Sequence, residues 1–175
     1  MEKSKDFFQV VEERRSMRAF APAPVEEDKL QRILEVANRA PSAGNLQGYE
    51  IFVIRKAGQK QALVEAAYDQ RFIAEAPLVL IFCANPSRSA VRYLERGRNL
   101  YSVQDATIAC TYAMLAATAL GLSSVWVGAF DEQAVRRAAD IPSDLVPVAM
   151  LPIGYASEAG YSTPRRSLDE IVHER

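Results

Sequence analysis

Arg14-Arg15-Ser16-Met17-Arg18 places three guanidinium groups and a hydroxyl within five residues. Guanidinium is planar, permanently charged and donates in pairs, so this cluster suits a phosphate or another dianion. Ser16 adds a short donor, and nearby backbone N–H groups can add more. The same arginines would also suit the end of a helix, where cations complement the macrodipole. A second basic pair, Arg165-Arg166, follows Pro164. Alone it is two solvated charges. Together, the two clusters could converge on one dianion from opposite ends of the chain.

A third constellation is Pro41-Ser42-Ala43-Gly44-Asn45-Leu46-Gln47. Its hydroxyl and two amides offer donors and acceptors side by side, which suits the edge of a heterocycle. It also reads as an ordinary polar connection with side-chain turns. In Val125-Trp126-Val127-Gly128-Ala129-Phe130, Gly128 could let the backbone approach a ligand closely. Trp126 and Phe130 read more simply as core residues. Other chemistries lack their residues. There is no Gly-x-Gly-x-x-Gly and no Gly-x-x-x-x-Gly-Lys-Ser/Thr. The one His, His173, and two separated cysteines, Cys83 and Cys110, supply neither a His-based triad nor a zinc site. Both cysteines fall in apolar runs and read as small core residues. Many chemistries that a protein performs with its own side chains are thereby removed. If the chain is an enzyme, a bound cofactor supplies the reactive atom.

The elements that must position these residues follow from patterning. The chain has 175 residues, 49% apolar and 25% charged, with a net charge of −1. That fits one domain over 1–175, and gives no footprint for nucleic acid or an anionic membrane. Helices are predicted from Asp6 to about Arg14, over Glu26–Asn38 and over Gln59–Tyr68. Strands are predicted over Tyr49–Arg55 and over Leu78–Ala84, the latter buried on both faces. Asn85–Asn99 is polar and basic and reads as a loop with a helical piece. Ser102-Val-Gln-Asp105 fits a capping box that opens a helix ending near Leu120, with Gly121 as its stop.

Val125–Val127 reads as a short strand, Asp131 as the cap of a helix to about Ala139, and Pro147–Ile153 as a strand kept to ends or edges by its prolines. The tail beyond Gly154 reads as loop, briefly helical after Leu168. Ala106 through Phe130 carries no charge and is long enough to span a bilayer. Gly121, Ser123 and Ser124 interrupt it, so a buried helix followed by a strand fits better. The mixed-charge N-terminus has too short an apolar stretch for a signal peptide. The expectation is a cytoplasmic protein that binds no membrane and no nucleic acid. The long helix is apolar on every side, so it needs cover all round, with its small residues suited to a core or a dimer interface.

The chain resembles the FMN-dependent nitroreductase family over nearly its whole length. The resemblance rests on the order and spacing of Arg-Arg-Ser-Met-Arg (14–18), Ala-Pro-Ser-Ala-Gly-Asn-Leu-Gln (40–47), Ala76-Pro77, Gln104-Asp105-Ala106, Gly121-Leu122 with Val125–Phe130, Ile153-Gly154-Tyr155, and Pro164-Arg165-Arg166. It implies an α+β fold: a three-layer α/β/α sandwich with a mixed, mainly antiparallel sheet, forming an intertwined homodimer with FMN at the subunit interface. Arg14, Arg15, Ser16 and Arg18 then match positions on the phosphate and ribityl chain, and Arg165 and Arg166 match further phosphate positions. Pro41, Ser42, Ala43, Asn45 and Gln47 match a loop that the other subunit lays on the flavin. Gly128 matches a backbone contact near the ring, and Gln70 lies near another ring position. Where relatives carry an Asn near position 68, this chain has Tyr68.

The activity implied is hydride transfer from NADH or NADPH to flavin N5, followed by ping-pong delivery of electrons to a nitroaromatic, quinone or similar small acceptor. Metal ligands and catalytic side chains are not part of this picture. The same fold could instead serve flavin fragmentation, dehalogenation or azoline oxidation, or a flavin-binding sensor or reservoir without turnover.

Overall fold

The computed structural model describes residues 5–175. The first four residues, which open the mixed-charge N-terminal stretch, lie outside the described residues. The architecture grows from one strand. β2 (Leu78–Ala84) is buried at every position. A strand alternates its side chains between two faces, so burial throughout requires cover on both. Val79, Ile81 and Cys83 enter one core with Leu63, Ile73 and Val135. Leu80 and Phe82 enter the other with Ile33, Ala109 and Ala113. The first core is roofed by α3 (Ala57–Ala66), α4 (Phe72–Glu75) and α7 (Glu132–Ala139). The second is roofed by α2 (Glu27–Asn38) and α6 (Ser102–Ala119). The result is a three-layer α+β sandwich.

The sheet runs β1-β2-β4-β3, with β1 at Tyr49–Ile54, β3 at Ser123–Ser124 and β4 at Val146–Gly154. All three pairings are antiparallel. A single parallel bridge, Ser16 to Ser124, makes the arrangement mixed. β3 covers only Ile153 and Gly154 of β4, so most of β4's outer side is an edge. Such an edge tolerates Pro147 and Pro152. The register of β4 slips opposite Phe82 and Cys83, next to Pro147.

Several predicted elements shift. Val125–Val127 is not a strand: the pairing falls on Ser123–Ser124, and Val127 makes only one bridge, to Met150. Asn85–Asn99 is mostly helix, as α5 (Pro86–Arg96) followed by a π-helical turn at Gly97–Tyr101. Its buried positions are the small residues Ser89 and Gly97, so the pattern shows no apolar stripe. Ser102 does not cap α6, because the chain is already helical before it. Its hydroxyl donates to the Arg98 carbonyl at 2.9 Å. Gly121 does end the long helical stretch, at φ +75°. α6 buries Ala106, Ala109, Ala113, Ala116 and Ala117 but leaves Val103 and Tyr112 exposed, so cover is incomplete within one chain. Among the described residues, no helix is long and apolar enough to cross a membrane.

Candidate functional site

The basic cluster lies just beyond α1 (Phe7–Glu13), which a capping box at Asp6 and Gln9 starts. After α1 the chain turns extended and pairs with β3: the Met17 N–H donates to the Ser124 carbonyl at 3.1 Å. Met17 and Phe20 are buried, which locks the segment down. Side chains of an extended segment alternate, so burying Met17 turns Ser16 and Arg18 outward. The tail returns over this segment. The Ala21 N–H donates to the Tyr155 carbonyl at 2.8 Å, and the Ser157 N–H to the Ala19 carbonyl at 3.2 Å. Gly160 then passes so close that a Cβ there would sit 2.8 Å from the Arg15 Cβ.

This return closes a cavity of about 290 Å³ lined by Arg14, Arg15, Ser16, Arg18, Thr163 and Arg165. The two basic clusters do converge. The Arg165 guanidinium donates to Thr163 Oγ1 at 2.8 Å. Arg15 donates to the carbonyls of Glu12 and Arg14. Burial, then the charges of Arg165 and Arg15, hold the Arg14 guanidinium below its ordinary pKa. Among the described residues, none of the four cavity arginines forms an ion pair, so the balancing charge must come from a ligand or from solvent ions. Arg166 does not join them. It bonds the Glu170 carboxylate at 3.1 Å and the Glu170 carbonyl at 2.8 Å. Tyr161, Ser162 and Thr163 complete the lining. Nothing in the polar tail sequence distinguishes them.

The loop from Pro41 to Gly48 is a second structure. Gly44, Asn45 and Gln47 all take positive φ, near +50° to +56°. The Gln47 N–H donates to Ser42 Oγ at 3.0 Å, and the Gln47 amide donates to Asn38 at 3.0 Å. Its fixed point is Asp105 in the first turn of α6. One carboxylate oxygen accepts from the Ala43 N–H at 3.0 Å and the other from the Gly48 N–H at 3.1 Å. Asp105 is 2% exposed. A Cβ on Gly48 would lie 2.0 Å from Ser89 Oγ, so only glycine fits there. Asp105 is thus a positioning residue, not the cap expected of it. A signal was present: it is the one charge at the head of a long uncharged run, and such a carboxylate needs donors. Pro41, Ser42 and Ala43 border a cavity of about 510 Å³ with Tyr101, Gln104 and Ile108. Within one chain this cavity and the arginine cavity share no lining residue.

Gln70 and the Gly128 turn form a third group. The Gln70 amide donates to the carbonyls of Ala67 at 3.0 Å and Ala129 at 3.2 Å. Tyr68 is 69% exposed in a left-handed conformation. A Cβ on Gly128 would lie 3.1 Å from the Trp126 indole nitrogen. Cys83 and Cys110 are buried, and burial pushes the Cys83 thiol up to about 12 and the Cys110 thiol up as well. Neither is a nucleophile near neutral pH.

The chain as a whole is similar to known proteins. The chain is 33% identical to an NADH dehydrogenase of Thermus thermophilus, over 91% of both chains. It is 30% identical to an FMN reductase [NAD(P)H] of Bacillus subtilis, over 91% of this chain and 70% of the relative. The structure of NfrA2 from B. megaterium superposes with a TM-score of 0.88 at 28% identity, covering 97% of this chain and 74% of the other. The sequence model of the Nitroreductase family matches residues 11–155, and the chain belongs to that family.

Proposed function

We propose that the protein is an FMN-dependent oxidoreductase that draws on NADH or NADPH and reduces nitroaromatics, quinones or similar acceptors. One observation carries this reading: a cavity gathering Arg14, Arg15, Ser16, Arg18 and Arg165 with no acid in its lining. A flavin mononucleotide presents a phosphate dianion, which such a set of forked donors fits. The names of relatives that reduce FMN or use NAD(P)H support the same cofactor pair.

FMN, when bound, supplies a ring that accepts two electrons from a dinucleotide and returns them to an acceptor. The chain's own task is to hold and shape. Arg14, Arg15, Ser16, Arg18 and Arg165 hold the phosphate end. Asp105 keeps the Pro41–Gly48 loop in one conformation, so that Pro41, Ser42, Ala43, Asn45 and Gln47 meet the ring without reorganising. Gln70 steadies the carbonyl of Ala129 and, with it, the Gly128 turn. Donor and acceptor use one place in turn, which gives ping-pong kinetics. A cytoplasmic location fits the use of reduced dinucleotides.

The working unit is a homodimer of one-domain chains. The arginine cavity has no residue of the Pro41–Gln47 loop in its lining within one chain, so a second copy would bring its loop to the first copy's arginines. Exposed Phe7 and Phe8 on α1, with Tyr112 on α6, leave apolar surface for that copy to cover. Purified protein tests the reading directly. Yellow dimeric protein that bleaches with NADH or NADPH and recovers its colour with a quinone is the expected result. Protein that takes up no FMN, or flavin that neither dinucleotide reduces, would overturn it.

A further inference from the structure

Helix α5 carries Arg88, Arg92 and Arg96 at four-residue intervals, all exposed. Leu94, at φ +48° and ψ −133°, breaks the helix between the last two. The π-helical turn that follows returns Tyr101 against Tyr93, with ring centroids 5.1 Å apart and planes at 83°. Each tyrosine carries an arginine. The Arg92 guanidinium lies 5.5 Å from the Tyr93 ring centre, and that of Arg96 lies 5.4 Å from Tyr101. The Arg96 Nε–H also donates to the Tyr101 hydroxyl at 2.9 Å. Two guanidinium groups are thereby held by an aromatic pair, which limits the rotamer freedom a ligand would otherwise have to remove. Among the described residues, none of the three arginines forms an ion pair, whereas neighbouring Arg98 pairs with Glu95. Leu94 itself is 74% exposed, so the break lies at the surface beside the arginines.

The cluster borders the loop assigned above to the cofactor ring. Arg88 donates to the Leu46 carbonyl. A Cβ on Gly44 would lie 2.7 Å from the Tyr93 hydroxyl and 3.1 Å from an Arg92 guanidinium nitrogen. Tyr101 lines the same cavity as Pro41, Ser42 and Ala43. The cluster shares no residue with the cavity of Arg14 and Arg165, so it is not needed for the flavin phosphate. We infer that Arg92 and Arg96 receive a phosphate of the nicotinamide dinucleotide while its reactive end lies against the Pro41–Gln47 loop. The inference rests on the oxidoreductase reading. The chemistry is that of a phosphate ester, from either of two sources: the pyrophosphate common to NADH and NADPH, or the 2′-phosphate of NADPH alone.

The test is binding of oxidised dinucleotides, which involves no turnover. FMN-loaded protein is titrated calorimetrically with NAD+, NADP+ and adenosine 2′,5′-bisphosphate. The variants are Arg92→Gln, Arg96→Gln, the double variant, and Arg98→Gln as a control outside the cluster. The double variant is expected to bind NADP+ roughly tenfold more weakly and with a shallower salt dependence, while Arg98→Gln follows the parent. An equal loss for NAD+ assigns the pyrophosphate. A loss confined to NADP+ and the bisphosphate assigns the 2′-phosphate. Unchanged affinity for both dinucleotides in the double variant overturns the inference, as does a change confined to the affinity for the electron acceptor. Flavin content is read by absorbance on the same samples. Failure to take up FMN counts against the oxidoreductase reading alone; the same titrations are then run on the flavin-free protein, where unchanged affinity for both dinucleotides in the double variant overturns the inference.

Discussion

Replacing Asp105 by Asn tests the positioning role with the least change of shape. The carboxylate accepts one N–H at each oxygen, from Ala43 and from Gly48. Asn keeps one acceptor and turns an NH2 group towards the other N–H, so one charge-assisted bond is lost and two donors face each other. Gly48 is buried, and its amide has no room to find water. A hydrogen bond to a charged group contributes about 1.5–3 kcal/mol, and an orphaned buried donor adds to the cost, so the variant should lose about 2–4 kcal/mol. At about 2–4 °C per kcal/mol for a chain of this size, Tm should fall by roughly 5–15 °C. A loss of fold stability alone would not prove a role in the site. The second measurement is therefore native-state hydrogen exchange at the amides of Ala43 and Gly48. It should speed up there more than in β2, and FMN should bind more weakly in step. A Tm within experimental error of the parent, with unchanged exchange at both amides, would refute the reasoning.

Three other perturbations bear on the same structure. Arg14→Ala or Arg18→Ala should weaken FMN binding by about 1.5–3 kcal/mol, roughly ten- to a hundredfold, read by flavin fluorescence; unchanged affinity in both would remove the phosphate role. Gly160→Ala should push the tail off Arg15, because the new methyl would lie 2.8 Å from the Arg15 Cβ, and FMN affinity should drop while Tm changes little. Cys83 and Cys110 should resist a thiol reagent in the native protein and react fully in denaturant. For Cys83 the folded pKa is raised from 9.0 to about 12, so the folded state holds its proton longer than the unfolded chain. Stability should accordingly be full below pH 9 and decline as pH rises from 9 towards 12, measured by denaturant titration across that range.

The legible parts of the fold were those in which local pattern and burial agree. The unbroken apolar run of β2 required cover on both faces, and the structure supplies it with two cores. Leu30, Ile33 and Ala37 mark the buried face of α2 by spacing alone. Helix α5 and the turn after it were hidden because what they bury is small: Ser89 and Gly97 carry no hydrophobic signal. β3 was misplaced because strand pairing is a non-local choice, and β4 meets Ser123 and Ser124, not the more strand-like valines that follow. In the site, residue type spoke for Arg14, Arg18 and Arg165, but their meeting depends on the tail folding back past Gly160. Asp105 fitted a familiar local motif well enough to obscure its long-range partners. Local hydrogen bonding and a distant backbone compete for the same carboxylate, and here the distant backbone wins.

The arginine cavity has an energetic consequence for the fold. Arg14 sits below its ordinary pKa chiefly because of burial, with the charges of Arg165 and Arg15 adding to it, so its charge is costly to hold in the folded state. Repulsion among like charges that only the fold brings together lowers the stability of the folded protein relative to the unfolded chain. An anion that binds only the folded form relieves it and adds its own binding free energy, about 2.7 kcal/mol at a hundredfold excess over Kd. The same linkage distinguishes a built phosphate site from a surface that is merely basic. In a built site, FMN should raise Tm far more than riboflavin, which carries the same ring without the phosphate. If the two ligands stabilise the protein equally, the phosphate contributes nothing, and the convergence of Arg14, Arg15, Arg18 and Arg165 needs another explanation.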